Sequence, residues 1–488
     1  MRCRLAKYLR SKIAVSIIIT AVFGLVIKEA LFPVRAFLLN SHFTEQKKPL
    51  RKYGDSQNAL SSPSPESHRK PVFIPASFLN SEVPKNESYC NFNYKFPDVW
   101  NMTELFLEAT PQLGNNGPYR VVYNLIEGRF EDNTVGVTYC THATPEFLYH
   151  IAEIVNRWDG PVSVAVFAPG TDLFVSLSVL YHMCRCLPEM SRVTIHLIVH
   201  YKYFPMESRY SVVGSKLLED LDFSNCSAPL NLLNGRFETF RHQQKLTYPV
   251  NTARNVARIA AKTTHVLVSD VELLPSSNLV PAFLSMFKKF KQHFDNVSPH
   301  ATKPELQLKR YVFVLPVFEV EATVLKVPST KKELLQLYSE NRAVYFHRWV
   351  CLHCQRFPGL QKWLQKKSDN EDTPLIQPFL IVHREYPYHR WEPIYIGTNS
   401  EPLYSEILTW EGQQDKMTQM AEMCLMQYNF VILDGAFLVH TPGVKHRKDI
   451  SPNQTLWRRP YEWENMKRYR NIAQTLLQKY TSRRSCKI

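Results

Sequence analysis

The sequence predicts an α/β fold, a largely parallel sheet flanked by helices, and three observations carry that expectation. Between Val135 and Val199, β-branched apolar runs alternate with amphipathic helical ones, the rhythm of parallel strands joined by helical crossovers. The hydrophobic share is 44% over 488 residues, enough to bury a large core in one big or two ordinary domains. An apolar stretch, Thr264 to Ser269, stops at the triplet Asp270–Val271–Glu272, and folds of this class present ligand-binding groups at the ends of strands.

In chain order, residues 1–12 carry Arg2, Arg4, Lys7, Arg10 and Lys12 and no acid. Ile13 to Ile27 is then free of charge, and Ala30 to Phe32 extend it. The spacing predicts a cytoplasmic tail over 1–12 and a transmembrane signal anchor over 13–32, short but within reach of a thin bilayer. A cleaved signal peptide is the competing reading, but Lys28, Glu29 and Pro33 stand where a small-x-small cleavage site would follow. Basic residues ahead of the span place the remainder in the lumen, so the chain is expected to sit in the membrane as a type II protein. Residues 33–88, with SSPSPESHRKP at 61–71, read as a flexible luminal stem, and 89–488 as the luminal catalytic domain. Sequons at Asn86, Asn101, Asn225 and Asn453, with a weaker one at Asn296 because Pro299 follows it, fit that compartment as glycosylation sites.

Charge and cysteines narrow the class. The formal net charge of +15 sits at the two ends: residues 1–12 contribute +5, the segment from Lys445 onward contributes +9, and the middle is near neutral at about +1. No basic stripe interleaved with aromatics runs along the body, which excludes a nucleic-acid partner. Past Cys3, nine cysteines remain, an odd number, so at least one is free or intermolecular. The Cys351-Leu-His-Cys354 stretch has no second CxxC or HxxxH at a useful spacing. A disulfide is favoured there over structural zinc.

Within the body, Val135–Tyr139 reads as a strand, and Thr144-Pro145 opens a helix whose apolar residues Phe147, Leu148, Ile151, Ile154 and Val155 share one face. Val162–Phe167 is a strand, Leu173–His182 helical, Val193–Val199 a strand. Tyr248 to Arg258 is a helix with Pro249 in its first turn, followed by the Thr264–Ser269 strand. Tyr311–Phe318 is expected as one strand, Lys331–Asn341 as a helix, and Asn429–Leu433 as a strand feeding Ala436–His440. With 44 acidic residues, an acid-x-acid triplet arises by chance about four times in a chain of this length. Its surroundings must carry the argument. No Walker A loop and no GxGxxG occurs, which leaves a metal-bridged diphosphate as the chemistry suited to paired carboxylates at a strand end.

Four runs then fall in order: THATPEFLYHIAEIVNRWDGPVSVAVF, YPVNTARNVAR…TTHVLVSDVELLPS, the CLHC segment and FVILDGAFLVHTPG. Together, over about residues 135 to 445, the chain resembles glycosyltransferase family 49. The resemblance implies a GT-A type nucleotide-diphospho-sugar transferase fold, a UDP-sugar donor, Mn2+ and inversion at the anomeric carbon. It places the family's DxD motif on Asp270 and Glu272, the second acid lengthened by a methylene, and a third metal ligand on His440. Arg254 and Asn255 fall on donor-facing positions. Thr138 to His142 are expected at the first strand's end near uracil and ribose, and Lys445 near the diphosphate.

The family's segment DERF…YGxN[RK] is replaced by Tyr404-Ser405-Glu406 and Glu411-Gly412-Gln413-Gln414-Asp415-Lys416. Ser405 stands where the family has Asp, and Asp415 where it has Asn. Asp415 is the first candidate for the base, Glu406 the second and Glu411 the third. The stretch HREYPYHRWEP at 383–393 is expected on the acceptor side, with Tyr386, Tyr388 and Trp391 offering faces to sugar rings and Glu392 meeting hydroxyls. The function implied is a Golgi membrane enzyme moving glucuronic acid from UDP onto a xylose-bearing acceptor glycan of a glycoprotein. N-acetylglucosamine transfer to galactose and an inactive glycan-binding relative are the alternatives.

Overall fold

The computed structural model describes residues 88–94, 112–113, 117–203, 226, 238–297, 310–366, 375–441, 443–449, 452–480 and 486–487. The expected tail, anchor and stem up to residue 87, the sequons at Asn86, Asn101 and Asn225, and the side chains of Asn296 and Asn453 lie outside the described residues. Among those described, no helix is long and apolar enough to cross a membrane.

The strands are β1 (Asn91–Phe92), β2 (Gln112–Leu113), β3 (Tyr119–Glu127), β4 (Thr134–Ala143), β5 (Val162–Phe167), β6 (Val193–His200), β7 (Thr263–Val268) and β8 (Leu273–Pro275). Then come β9 (Tyr311–Leu315), β10 (Val317–Val320), β11 (Ala343–Tyr345), β12 (Gln377–Val382), β13 (Ile394–Gly397), β14 (Asn429–Asp434) and β15 (Leu438–His440). The larger sheet has the order β1-β3-β6-β5-β4-β7-β13-β9-β14-β12, with β2 on β3.

It is a mixed sheet, which corrects the largely parallel one expected. Its parallel part is β6-β5-β4-β7 together with β9 beside β14. Parallel neighbours need long crossovers, and helices supply them here: α1 (His150–Arg157) between β4 and β5, and α2 (Asp172–Cys186) between β5 and β6. The short α3 (Phe240–Gln243) and then α4 (Val250–Ile259) precede β7. Beyond that core, β3, β12 and β13 pair antiparallel with their neighbours.

Side-chain alternation covers both faces of the parallel core. Val162, Val164 and Val166 of β5 join α1 and α2 in the main cluster, while Ala165 and Phe167 turn to Val250, Ala253, Val256 and Ala257 of α4. A strand apolar on both faces is what the unbroken run Val162–Phe167 requires. Each buried Val or Phe adds about 1.5–3 kcal/mol. One polar tie crosses this core: His196 of β6 accepts from the Asn124 amide at Nδ1 (3.0 Å) and meets Ser163 Oγ at Nε2 (3.0 Å). Ser163 in turn donates to the Ala257 carbonyl of α4 at 2.7 Å.

Tyr311–Phe318 is two strands rather than one. Pro316 lacks the N–H that a continuous ladder needs, and the chain changes sheet there: β9 stays in the large sheet and β10 enters a second one of order β11-β10-β15-β8. Gly435, at φ +81°, makes the matching turn between β14 and β15. Parallel pairing of β9 with β14 thus continues as parallel pairing of β10 with β15. The small sheet decides the site, because it lays β15 antiparallel on β8 with His440 opposite Leu273, directly after Glu272.

The remaining helices are α5 (Leu279–Val297), α6 (Lys331–Ser339), α7 (Leu360–Gln365), α8 (Met417–Leu425) and α9 (Pro452–Lys479). A second cluster, with Phe318, Trp363, Trp391 and Phe430, fills the space beside the small sheet. Among the described residues, four disulfides pair Cys90 with Cys184, Cys186 with Cys226, Cys351 with Cys354 and Cys424 with Cys486. Cys140 is free and buried. The odd thiol and the local CLHC bridge are both as the sequence suggests.

Candidate active site

The site begins on α4. Its apolar side packs on the sheet, and its polar residues Asn251, Arg254, Asn255 and Arg258 share the opposite face. That face is fully buried, because the segment 398–415 lies across it. Arg258 donates to the carbonyls of Thr398, Glu401 and Pro402. The Asn255 amide donates to the Tyr404 carbonyl and to Glu406 Oε1, both at 2.9 Å, and its oxygen accepts from the Tyr404 amide at 3.0 Å. Asn251 donates to the carbonyls of Ser405 (2.8 Å) and Asp415 (2.9 Å). The stripe is therefore a scaffold that fixes the 398–415 segment. Asn255, expected to face a donor, spends its side chain on that task here.

Arg254 reaches beyond the scaffold. One guanidinium nitrogen binds Asp415 in a short ion pair and donates to Asn251 Oδ1 at 2.9 Å; the other lies 3.1 Å from Asp270 Oδ1. Asp270, two residues past the β7 end, also has Lys416 Nζ at 3.3 Å and His142 Nε2 at 3.3 Å. Burial would raise its carboxyl, but Lys416, His142 and Arg254 outweigh it and hold the group well below the usual range. Asp270 is therefore ionised. His142 closes β4 and binds the Tyr248 hydroxyl through Nδ1 at 2.7 Å. Burial lowers its pKa, so the ring is neutral at pH 7.

Glu272 faces the small sheet. His440 Nε2 lies 3.8 Å from its Oε1 and Lys445 Nζ 3.9 Å from its Oε2. Burial works against its charge, yet His440 and Lys445 bring the carboxyl down to about 2. His440 is itself buried, and burial with nearby Lys445 lowers its pKa, leaving lone pairs on a neutral ring. Neither of its ring nitrogens has a hydrogen-bond partner among the described residues. As the side chains lie, no three His, Cys, Asp or Glu residues among those described converge into a ligand cage: Glu272 approaches His440 while Asp270 turns to Arg254 and Lys416. The donor chemistry does fit a Mn2+ ion, two ionised carboxylates with an unpartnered neutral imidazole between the ends of β7 and β15.

Other expected residues fall elsewhere. Thr138 is not at a strand end. β4 runs on to Ala143 because residues 140–143 pair with β5, so Thr138 is interior, buried and bonded to Thr263 Oγ1 at 2.6 Å; His142 takes the terminal place. Glu411 is fully buried, accepting from Arg241 (3.0 Å) and from the Tyr248 amide (3.1 Å). Trp391, expected to offer its face to a sugar, is buried against Phe430 in the second cluster. Tyr388 packs on the same cluster, partly buried. Tyr386 is 67% exposed, with Lys487 Nζ 4.2 Å from its ring centroid. Lys416 follows Asp415, where the resembled segment has Arg or Lys, but sequence reasoning gave it no role; the turn into α8 delivers it to Asp270.

Comparison with known proteins places the chain among glycosyltransferases. A family model described as glycosyl-transferase for dystroglycan matches residues 136–481. The chain is 29% identical over 388 residues to β-1,4-glucuronyltransferase 1 of Danio rerio, covering 76% of this chain and 82% of that protein. It is 27% identical over 386 residues to β-1,4-glucuronyltransferase 1 of Homo sapiens, with 77% and 83% covered. Over 236 residues it is 25% identical to the xylosyl- and glucuronyltransferase LARGE2 of Mus musculus, covering 48% of this chain and 28% of that protein.

Proposed function

The chain belongs to the glycosyltransferase family described as glycosyl-transferase for dystroglycan, a family of UDP-sugar enzymes, and from that premise we propose that it transfers glucuronic acid from UDP to a xylose-bearing acceptor glycan on a glycoprotein. The observation that carries the reading is the meeting of two distant segments: the small sheet sets His440 beside Glu272, two residues along from Asp270 and its ring of Arg254, Lys416 and His142. The relatives named as glucuronyltransferases, covered over some four fifths of their length, favour glucuronate as the sugar.

In this reading the fold is of GT-A type, with the donor at the ends of β4 and β7. Asp270, Glu272 and His440 would hold Mn2+. When bound, that ion neutralises charge on the diphosphate leaving group. Arg254, Lys416 and Lys445 keep the carboxylates ionised and supply positive charge where the diphosphate lies. His142, neutral and fixed by Tyr248, closes the floor of the donor side at the end of β4. On the acceptor side, exposed Tyr386 is the ring placed to stack on a sugar, and Trp391 supports it from the core. The N-terminal segment would anchor the enzyme as a type II protein of the Golgi membrane with the catalytic domain in the lumen.

The test is a donor panel. The purified chain is incubated with Mn2+, a β-xyloside acceptor and, in turn, UDP-glucuronate, UDP-N-acetylglucosamine, UDP-galactose, UDP-glucose and UDP-xylose, and UDP release is measured. Turnover with UDP-glucuronate alone is expected. Turnover with a different donor alone would reassign the sugar, and release from none would overturn the enzymatic reading.

A further inference from the structure

We propose that Glu392 is the general base of the transfer, taking the proton of the acceptor hydroxyl in place of Asp415. The proposal rests on the reading above, that the chain is a UDP-sugar transferase acting with inversion.

Of the carboxylates around the 404–416 segment and the polar face of α4, Asp270 belongs to the proposed metal site, Glu401 is held by Arg258 and the Thr398 amide, and three more are committed to holding the fold. Asp415 is locked to the buried guanidinium of Arg254, an ion pair that fixes the carboxylate against α4. Glu406 accepts from Asn255 at 2.9 Å and from Thr252 at 3.4 Å. Glu411 is enclosed with Arg241 and the Tyr248 amide. Glu392 differs. Its backbone is fixed on both sides, the amide donating to the Cys354 carbonyl at 2.8 Å and the carbonyl accepting from Gln355 Nε2 at 2.8 Å.

The Cys351–Cys354 disulfide closes the turn that supplies that carbonyl. The preceding residue, Trp391, is sunk in the core, with its carbonyl held by Arg384 Nε at 2.6 Å. The side chain of Glu392, by contrast, is engaged by no hydrogen-bond donor among the described residues. A rigid stem under a free carboxylate is what a positioned base needs. The CLHC motif, otherwise without a role, becomes the brace of that stem.

The charged groups that face Glu392 are Asp415, Lys416, Arg384 and Arg254. Burial first, and the Asp415 carboxylate second, push its carboxyl up to about 7 against the pull of the three cations. A base poised near the working pH is the one that transfers a proton best. In the step itself, the acceptor O–H proton passes to a Glu392 oxygen as the acceptor oxygen bonds to the anomeric carbon. The bond from that carbon to the β-phosphate oxygen breaks on the opposite face, and its electron pair leaves with UDP. The glycosidic bond forms with inversion, and Glu392 ends protonated.

The experiment compares the purified full-length chain with Glu392→Gln, Glu392→Asp and Asp415→Asn, measuring transfer from UDP-glucuronate between pH 5.5 and 8.5 and UDP binding by calorimetry. Glu392→Gln is expected to bind UDP as the wild type does, to lose about 10²–10⁴-fold in transfer rate, and to lose the acidic limb of its kcat/KM profile. Glu392→Asp, with its carboxylate drawn back, keeps the limb at a reduced rate, and Asp415→Asn keeps it also. Loss of the limb in Asp415→Asn with its retention in Glu392→Gln would overturn the assignment, as would transfer by Glu392→Gln within threefold of wild type. If the wild-type chain turns over no UDP-sugar at all, the functional reading falls and the base with it, a result separate from an active enzyme indifferent to Glu392.

Discussion

Replacing Arg254 by Met tests the organisation of the site most severely. The side chain of Arg254 is 3% exposed and bridges Asp270 and Asp415, whose side chains are 28% and 16% exposed. Methionine keeps the apolar stem and its packing while removing the charge. Asp270 retains Lys416 and His142 at 3.3 Å each, so the larger loss falls on Asp415, left buried without its cation. Breaking one partner out of a buried pair costs about 3–5 kcal/mol.

Adding Asp415→Asn removes the stranded charge and should return about 2 kcal/mol, the worth of a hydrogen bond to a charged group. Urea unfolding followed by tryptophan fluorescence measures both. A loss below about 1 kcal/mol in Arg254→Met, or a further loss rather than recovery in the double variant, would refute the view that this guanidinium holds the two carboxylates in place.

The other predictions concern the fold that carries the site. His196 is held neutral by burial, its pKa brought down to about 3, and a proton on Nδ1 would face the Asn124 N–H that now donates to it. The unfolded chain takes up this proton first, so the contribution is complete above the ordinary histidine value and drains away as pH falls from 6.5 toward 3, by about 2 kcal/mol between pH 6.5 and 5. His196→Gln should flatten the unfolding free energy over that window; an unchanged slope would contradict the assignment. Gly435→Ala should lower the thermal midpoint, since φ is +81° and a Cβ would stand 2.4 Å from the Leu375 carbonyl oxygen; a midpoint equal to wild type would show that the turn can relax.

Much of the fold was legible in the chain and some of it could not be. Val162–Phe167 was placed to the residue because a strand buried on both faces is an unbroken apolar run. The helix Val250–Ile259 showed its polar stripe through a period near 3.6, but periodicity does not say what covers a stripe, and the cover comes from residues 398–415. Tyr311–Phe318 looked like one strand because its apolar pattern continues across Pro316; which sheet each half joins is decided by β14 and β15, far along the chain. Trp391 shows the same limit in reverse, since an aromatic beside histidines and prolines suits a sugar platform and a core equally. The approach of His440 to Glu272 came from the resemblance alone, as no local pattern encodes the pairing of β15 with β8. Glu392 escaped notice as a base because what distinguishes it, a braced backbone beneath an unengaged carboxylate, is a property of the folded chain.

The central claim is that the acid pair at the end of β7 and the histidine ending β15 form one UDP–metal site, and Mn2+ binding measures it most directly. Electron paramagnetic resonance titration of the purified chain with Mn2+ in the presence of UDP is predicted to show one site, weakened at least about tenfold in His440→Gln and in Asp270→Asn. Equal affinity in the wild type and both variants would contradict the account.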